Sequence, residues 1–205
     1  MAPKSDARPR RTAAQTREHV LAVAHELFYW HGIRATGVDA IAAEADVAPT
    51  TLYRLFSSKD DLIAAYIERA DRLYRDWMTE ATAPGVGSPR ERILALFDAL
   101  DEQVQPQRCR GCPFLMALAE FPDPQLPAHA LAVATKTWVH GRLRELTDAL
   151  AAAEPIGDPG ALADQLAVVV EGVYASAQAL GASGPARRAR AIAETLMNAA
   201  RPSAP

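Results

Sequence analysis

The chain has 205 residues, of which 49% are hydrophobic, 23% charged and only 6% aromatic, as in one or two globular domains with an adequate apolar core. Its net charge of −3 excludes a protein that binds nucleic acid through a basic surface extending over its whole body. Abundant alanine with few aromatic residues favours close-packed helices, so an all-α fold is predicted.

The N-terminal segment is locally basic although the whole chain is acidic. Between Met1 and Arg17 there are five basic residues and one acid, with two prolines and almost no apolar content. This composition predicts a disordered arm over residues 1–11. Arg8, Arg10 and Arg11 are candidate DNA-binding residues in this arm, but a solubilising tail explains the composition equally well.

Neither a leader nor a membrane anchor is expected from the sequence. The basic start is not followed by an apolar stretch of the kind found in signal peptides. The most apolar region, residues 161–180, is interrupted by Asp164, Gln165 and Glu171 and predicts a buried helix. A cytoplasmic protein is therefore expected.

Three helices are predicted at the start of the chain. Apolar residues recurring every three or four positions indicate a first helix over residues 12–31, which ends at Gly32. A second begins near Val38 and breaks at Asp46, where an acid tolerates the left-handed conformation of a tight turn. Pro49 suits a first helical position, so a third helix is expected from Pro49 to Leu55. This order indicates a helix-turn-helix unit over residues 12–62.

Six further helices are predicted from capping residues and apolar spacing. Ser58 is the expected N-cap of the fourth, which ends before Pro84, and a capping box at Ser88 and Glu91 opens the fifth, which ends at Pro106. The others are expected from Pro113 to Phe121, from Pro124 to Ala153, from Pro159 to Leu180, and beyond Pro185 through Leu196. The stripe predicted on the seventh helix consists of Leu131, Ala134, Trp138, Arg142 and Leu146.

The third helix is the candidate DNA-reading element, because the major groove admits one helix. Its hydroxyl groups and guanidinium can meet base edges or phosphates, and the residues that carry or flank them are Pro49, Thr50, Thr51, Tyr53 and Arg54. The apolar residues Leu52, Leu55 and Phe56 are expected to hold this helix to the rest of the unit.

A longer pattern surrounds this helix. Its positions are Leu27, Phe28, Gly32, Thr36, Val38, Ile41, Ala42, Ala45, Val47, Thr51, Leu52, Tyr53, Phe56, Ser58, Lys59 and Leu62. The pattern resembles the N-terminal signature of the TetR family of transcriptional regulators. The resemblance implies phosphate contacts by Thr36, Thr51, Tyr53 and Lys59, and base contacts by residues 49, 50 and 54. It also implies a repressor, not an enzyme, that leaves a palindromic operator when an effector binds.

Five positions depart from the usual family residues: Gly37, Asp46, Ala48, Thr50 and Arg54. Ala48 lacks the hydroxyl that caps the third helix, a loss of ~1 kcal/mol. Arg54 adds a group that can read guanine. The fold is expected to survive these changes, whereas the operator is expected to differ from the family average.

Residues 63–201 are predicted to form a helical ligand-binding and dimerisation domain. A pocket for a small, largely apolar effector is expected among helices four to eight. Core packing is the commoner role for each of its candidate lining residues, Trp77, Phe97, Phe114, Met116, Phe121, Trp138, His140, Tyr174 and Gln178. A homodimer interface is expected on helices eight and nine, from Leu162, Leu166, Val169, Val170, Val173, Ile192 and Leu196.

The two cysteines offer an alternative mode of regulation. Cys109 and Cys112 stand beside Arg108 and Arg110 at the start of a predicted helix, where a thiol pKa would be lowered. A reversible disulfide would make the protein a redox- or electrophile-responsive regulator, whereas a cysteine can also serve as a small residue at the helix entry. No metal site or cofactor is expected, because His129 and His140 lack a recognisable pairing.

Two other functional classes lack support in the sequence. A small helical enzyme would need a nucleophile with its base, a metal quartet or a phosphate loop, and none is recognisable in the sequence. An architectural DNA-binding protein would need basic charge throughout its body, where acids balance the bases.

Overall fold

The computed structural model describes residues 11–202, and the predicted arm residues Arg8 and Arg10 lie outside this range. The described residues form nine α-helices and three 3-10 helices, with no strand, which confirms the all-α prediction. The α-helices are α1 Ala13–His31, α2 Val38–Glu44, α3 Pro49–Leu55, α4 Lys59–Ala81, α5 Pro89–Gln103, α6 Pro113–Glu120, α7 Pro127–Ala153, α8 Pro159–Leu180 and α9 Ala189–Ala199. The 3-10 helices are Pro84–Val86, Gly181–Ser183 and Pro185–Arg188.

The chain divides into two compact units, and the division falls within α4, after Tyr66. The first two turns of α4 belong to the N-terminal unit because the Tyr66 ring packs edge-on against two α1 side chains. Its centroid lies 5.4 Å from that of Phe28 and 5.3 Å from that of His25. The boundary predicted from the sequence lies four residues earlier, after residue 62.

The N-terminal unit is built around α1. A capping box opens this helix, with the Thr12 hydroxyl accepting the Gln15 amide and the Gln15 side chain accepting the Thr12 amide. Gly32 ends it with φ 94°, a conformation that favours glycine. The helix buries its apolar face with side chains of α2, α3 and α4, and the core consists of Val20, Leu21, Ala24, Phe28, Ile41, Leu52, Phe56, Leu62 and Tyr66.

The C-terminal unit is organised around α7, which packs against α5, α6 and α8. Its buried stripe is shifted by one position from the predicted stripe. It consists of Ala128, Ala132, Thr135, Val139, Leu143, Leu146, Thr147 and Leu150. Of the predicted residues only Leu146 is buried, because Trp138 and Arg142 lie at the edges of the stripe.

The start of α7 also differs from the prediction. The helix begins at Pro127 and not at Pro124, because Asp123 closes a turn ahead of it. Its carboxylate accepts the amide of Gln125 at 2.9 Å, and its carbonyl accepts the amide of Leu126 at 3.1 Å. Among residues 11–202, no helix is both long and apolar enough to cross a membrane.

Candidate functional site

The turn between α2 and α3 is fixed by Asp46. This residue has φ 54°, the left-handed conformation expected from the sequence. The amides of Asp46 and Val47 donate back to the carbonyls of Ala43 and Ala42, at 3.1 and 3.0 Å. The His19 Nε2 of α1 lies 3.0 Å from the carbonyl oxygen of Ala45, so α1 holds the end of α2 at this turn.

Helix α3 has one anchored and one exposed face. Leu52 and the C-cap residue Phe56 are 1% and 0% exposed and fasten the helix to the unit. Its predicted DNA-reading residues Pro49, Thr50, Tyr53 and Arg54 are exposed, and Thr51 is half-buried. No side chain caps the helix at Ala48, as expected. The structure therefore presents the predicted reading face to solvent.

The predicted phosphate contacts differ in their surroundings. Lys59 opens α4, and its Nζ donates to the carbonyl of Arg34 at 3.2 Å. The Ser58 hydroxyl accepts the amide of Asp61 at 3.0 Å and caps the helix, as expected. Thr36 is only 6% exposed, and its hydroxyl donates to the carbonyl of Gly32 at 2.8 Å. Thr36 is therefore buried, whereas Thr51 and Lys59 are half-buried and Tyr53 is exposed.

A surface recess of about 1140 Å3 runs beside α3. Its wall combines the start of α1, the turn and α3, and consists of Arg11, Ala13, Gln15, Thr16, His19, Glu44, Asp46, Val47, Ala48, Thr51, Arg54 and Leu55. The structure thereby places the predicted residues Arg11, Thr51 and Arg54 around one concave surface.

Arg17 belongs to this unit and was not among the predicted DNA-binding residues. Its guanidinium carbon lies 4.7 Å from the centroid of the Phe56 ring, in a cation–π arrangement. The spacing of Arg17 from Val20, Leu21 and Ala24 is the signal that could have placed it beside the buried face of α1.

The predicted effector residues occupy different environments in the C-terminal unit. Phe97, Phe114, Phe121 and Tyr174 are buried, Trp77, Met116 and Trp138 are half-buried, and His140 and Gln178 are exposed. Nε2 of His140 lies 2.6 Å from Oδ1 of Asp164 on α8, within hydrogen-bonding distance. The predicted lining residues therefore do not share one exposed surface.

Tyr74, which was not among the predicted residues, joins several of them into an aromatic cluster. Its ring centroid lies 5.2 Å from that of Trp77, 5.7 Å from Phe114 and 6.5 Å from Tyr174. The Tyr174 hydroxyl donates to Oε1 of Gln103 at 2.9 Å. Burial raises the pKa of both tyrosines, so both hydroxyls are neutral hydrogen-bonding groups at pH 7.

The two cysteines are free and buried. Lys136 of α7 places Nζ 3.2 Å from Sγ of Cys112 and donates to the Glu171 carboxylate at 2.7 and 2.9 Å. Burial raises the pKa of the Cys112 thiol, and this effect exceeds the opposing effect of Lys136. The expected lowering of the pKa is therefore wrong for Cys112. Residues 11–202 contain no group of three or more His, Cys, Asp or Glu side chains placed to hold a metal ion.

Comparisons with known proteins agree with this geometry. Residues 20–66 match the model of the tetR family of bacterial regulatory proteins, and residues 89–193 match the tetracyclin repressor-like C-terminal domain. The chain is 26% identical over 185 residues to the transcriptional regulator YjdC of Escherichia coli, covering 90% of this chain and 95% of YjdC. It is 32% identical over 113 residues to the repressor NemR of Escherichia coli, covering 55% of this chain and 57% of NemR.

Solved structures show the same relationship. A TetR-family regulator from Streptomyces coelicolor superposes with a TM-score of 0.85 at 31% identity, covering 92% of this chain and 97% of that chain. Reduced NemR from Escherichia coli superposes with a TM-score of 0.80 at 25% identity, covering 92% and 99%. With both family models matched in order and the second spanning 105 residues, the chain belongs to the TetR family of bacterial transcriptional regulators.

Proposed function

We propose that the protein is a repressor that binds a palindromic operator as a homodimer and leaves it when a small, largely apolar effector binds the C-terminal unit. The observation that carries this proposal is the exposed face of α3, whose anchoring residues Leu52 and Phe56 are buried on the opposite side. The name of the relative NemR, a repressor, supports the direction of regulation.

The proposed DNA contacts divide into two groups. Thr51, Tyr53 and Lys59 bind phosphates, whereas Pro49, Thr50 and Arg54 meet base edges in the major groove. The arm residues Arg8, Arg10 and Arg11 add contacts that do not depend on sequence. Thr36 is left out of this set because its hydroxyl is buried in the loop after α1.

Selection of bound duplexes from a random pool tests the operator proposal. Two inverted half-sites about one or more helical turns apart are expected in the selected sequences. A single half-site, or no enrichment of any sequence, would contradict it. Fusion of the selected operator to a reporter promoter then distinguishes repression from activation.

The dimer interface is proposed to lie on α8 and α9, but not through all the residues expected from the sequence. Leu162, Leu166, Val170 and Val173 are buried within their own subunit, so these four expectations are wrong. Val169 and Leu196 are half-buried, and Val168 and Ile192 remain 72% and 43% exposed. An apolar groove of about 290 Å3 on α9 is lined by Arg188, Ala191, Ile192, Thr195 and Leu196.

A second copy of this chain is the proposed occupant of this face, since members of the family act as dimers and a two-fold operator needs two reading helices. Ile192→Glu should shift the protein toward monomer in sedimentation velocity, because the substitution places a charge in an apolar interface. Val86→Glu is the matched control, since Val86 is also 43% exposed but lies between α4 and α5. Equal behaviour of the two variants would contradict the proposed interface.

Helix α4 is the proposed route from effector to DNA, because its first turns belong to the N-terminal unit and the rest to the C-terminal unit. An effector that displaces α4 would alter the spacing of the two reading helices in the dimer. The coupling between effector and operator is expected to be about 1–3 kcal/mol and reciprocal. Trp77 and Trp138 provide intrinsic fluorescence for effector screening. A ligand bound in this unit without effect on operator affinity would contradict the route.

The cysteine-based alternative receives less support. It needs an accessible thiolate, whereas both cysteines are buried and burial raises the pKa of Cys112. Regulation by a reversibly bound effector is therefore the proposal retained. Because its target is chromosomal DNA, the proposed site of action is the cytoplasm.

A further inference from the structure

The Arg17 side chain of α1 is held at the end of the reading helix. Its guanidinium carbon lies 4.7 Å from the centre of the Phe56 ring. Phe56 is fully buried and is the C-cap of α3, so its position is fixed by the core of the unit. A guanidinium stacked on such a ring has fewer orientations than one on a free side chain. The charge is thus immobilised beside α3.

The recess described above shows which surface this charge adjoins. One wall is formed by residues between Arg11 and His19 of the N-terminal segment and α1, and the other by Thr51, Arg54 and Leu55 of α3. Arg17 follows Thr16, a wall residue, and reaches the ring at the end of α3. Arg17 is not itself a lining residue, but it is exposed and lies between the wall formed by the start of α1 and the C-terminal end of α3.

The basic and acidic residues that line the recess balance each other, so the lining adds no net positive charge toward DNA. Arg11 and Arg54 are offset by Glu44 and Asp46, so the formal charge of its lining, with His19 neutral, is zero. Carboxylates near the phosphate backbone oppose binding, and each neutralised phosphate strengthens it. Within residues 11–202, Arg17 forms no ion pair with a carboxylate, so its positive charge is not offset by a protein partner.

We propose that Arg17 binds a backbone phosphate of DNA and that the Phe56 ring positions its guanidinium for this contact. A phenyl ring accepts no conventional hydrogen bond, so a guanidinium held over it keeps N–H groups that can donate in a fork to phosphate oxygens. A lysine at this position would supply the charge without the stacked orientation. The inference rests on the DNA-binding function, but not on the identity of the operator or effector.

Fluorescence anisotropy with a labelled random-sequence duplex, over a series of salt concentrations, tests this contact. Arg17→Gln is expected to weaken binding about 5- to 10-fold at 0.1 M salt and to lower the slope of log affinity against log salt by about one. The same loss is expected with the selected operator, because a phosphate contact carries no sequence information. Arg17→Lys should keep the slope and weaken binding about 2- to 3-fold.

Arg144→Gln is the matched control, because it removes the same charge from an exposed residue of the C-terminal unit that pairs with Asp148. It should leave affinity and slope unchanged. Phe56→Leu removes the ring and should reproduce the Arg17→Lys result, while the double variant with Arg17→Gln should be no weaker than Arg17→Gln alone. Circular dichroism establishes that each variant is folded; if Phe56→Leu is not, the two Arg17 variants decide the question.

Unchanged affinity and slope in Arg17→Gln would overturn the inference. Loss confined to operators with one particular base would also overturn it, because Arg17 would then read a base. If the wild-type protein bound neither duplex, the DNA-binding function and this inference would fail together. Binding by the wild type with no effect of Arg17→Gln removes the inference alone.

Discussion

The buried hydroxyl of Thr135 on α7 donates a 2.6 Å hydrogen bond to the carboxylate of Asp71 on α4. Both carboxylate oxygens of Asp71 also lie 2.8 Å from Nε of Arg75, which donates to them. The guanidinium carbon of Arg75 lies 4.8 Å from the centroid of the Trp138 ring. One carboxylate thus joins the two helices through a donor that has no access to water.

Thr135→Val should lower the free energy of unfolding by about 1–2 kcal/mol, because the similar shape remains while the carboxylate loses a buried donor. Urea titration at fixed protein concentration measures this change. Thr137→Val is the control, since that exposed hydroxyl donates to the carbonyl of Val133 on its own helix, and its effect should stay below about 0.5 kcal/mol. Equal losses in the two variants would show that the bond to Asp71 adds nothing.

The ion cluster at Glu154 predicts a pH dependence of stability. Hydrogen bonds from Arg90 and then Arg201 lower the pKa of Glu154 from 4.5 to about 2. The stabilisation is therefore complete above pH 4.5, where the unfolded chain is also ionised, and is lost as the pH falls toward 2. Because its carboxylate remains 21% exposed, we expect a contribution of about 1 kcal/mol.

Glu154→Gln should lower the melting temperature by about 2–4 °C at pH 7, and the difference from the wild type should shrink steadily between pH 4.5 and 3. Thermal unfolding at several pH values measures it. Glu145→Gln controls for the change in net charge, since Glu145 forms a more exposed pair with Arg142. A difference independent of pH would contradict the assigned pKa.

The proposed phosphate contacts predict a salt signature. Lys59→Ala should weaken operator binding and lower the salt slope by about one, because one cationic contact is lost. Tyr53→Phe should weaken binding through the loss of a neutral hydroxyl donor, with little change of slope. Gel-shift titrations at several salt concentrations measure both. Unchanged affinity in both variants, with unchanged melting curves, would remove these residues from the interface.

Arg54 predicts a different outcome, because a base contact carries sequence information. Arg54→Ala should reduce discrimination at one base pair of each half-site by about 1–3 kcal/mol. Binding to a panel of single-base operator variants measures this preference. An equal loss of affinity for every duplex would instead assign Arg54 to the phosphate backbone.

The surroundings of Cys112 predict a slowly reacting thiol. In Cys109→Ser, which leaves Cys112 as the only thiol, labelling by a disulfide reagent at pH 7 should be at least about 100-fold slower in the native protein than in urea. Burial and the raised pKa of Cys112 both act in this direction. Rapid labelling of the folded protein would revive the cysteine-based mode of regulation.

Local signals account for the parts of the fold that the sequence predicted well. Prolines at first helical positions and the caps Ser58 and Ser88 act within one turn of the chain, so the starts of α3 to α6 and α8 were accessible without tertiary information. The exposed face of α3 followed because Leu52 and Phe56 are large apolar residues at helical spacing.

The features that the sequence predicted poorly, namely which residues are buried on α7 and α8 and the surroundings of Cys112, depend on tertiary contacts. On α7 the small residues Ala132 and Thr135 are buried. The larger Trp138 lies at the edge of the stripe, where its ring contacts the guanidinium of Arg75. The surroundings of Cys112 depend on Lys136, 24 positions away, which no local pattern reveals. Helix α8 is apolar on most of its surface, so periodicity could not separate Leu166 in the core from exposed Val168.

On α3 the residues that stabilise the fold differ from those proposed to recognise DNA, and this separation affects how such a regulator acquires new operators. Leu52 and Phe56 support the fold, while Thr50 and Arg54 point to solvent, so the latter pair can be exchanged at little cost to folding. Substitutions at these exposed positions can therefore change DNA recognition without a large change in the free energy of unfolding. A gene duplicate could drift to a different promoter through these positions alone, and a library randomised at residues 50 and 54 should yield folded proteins with altered operator preference.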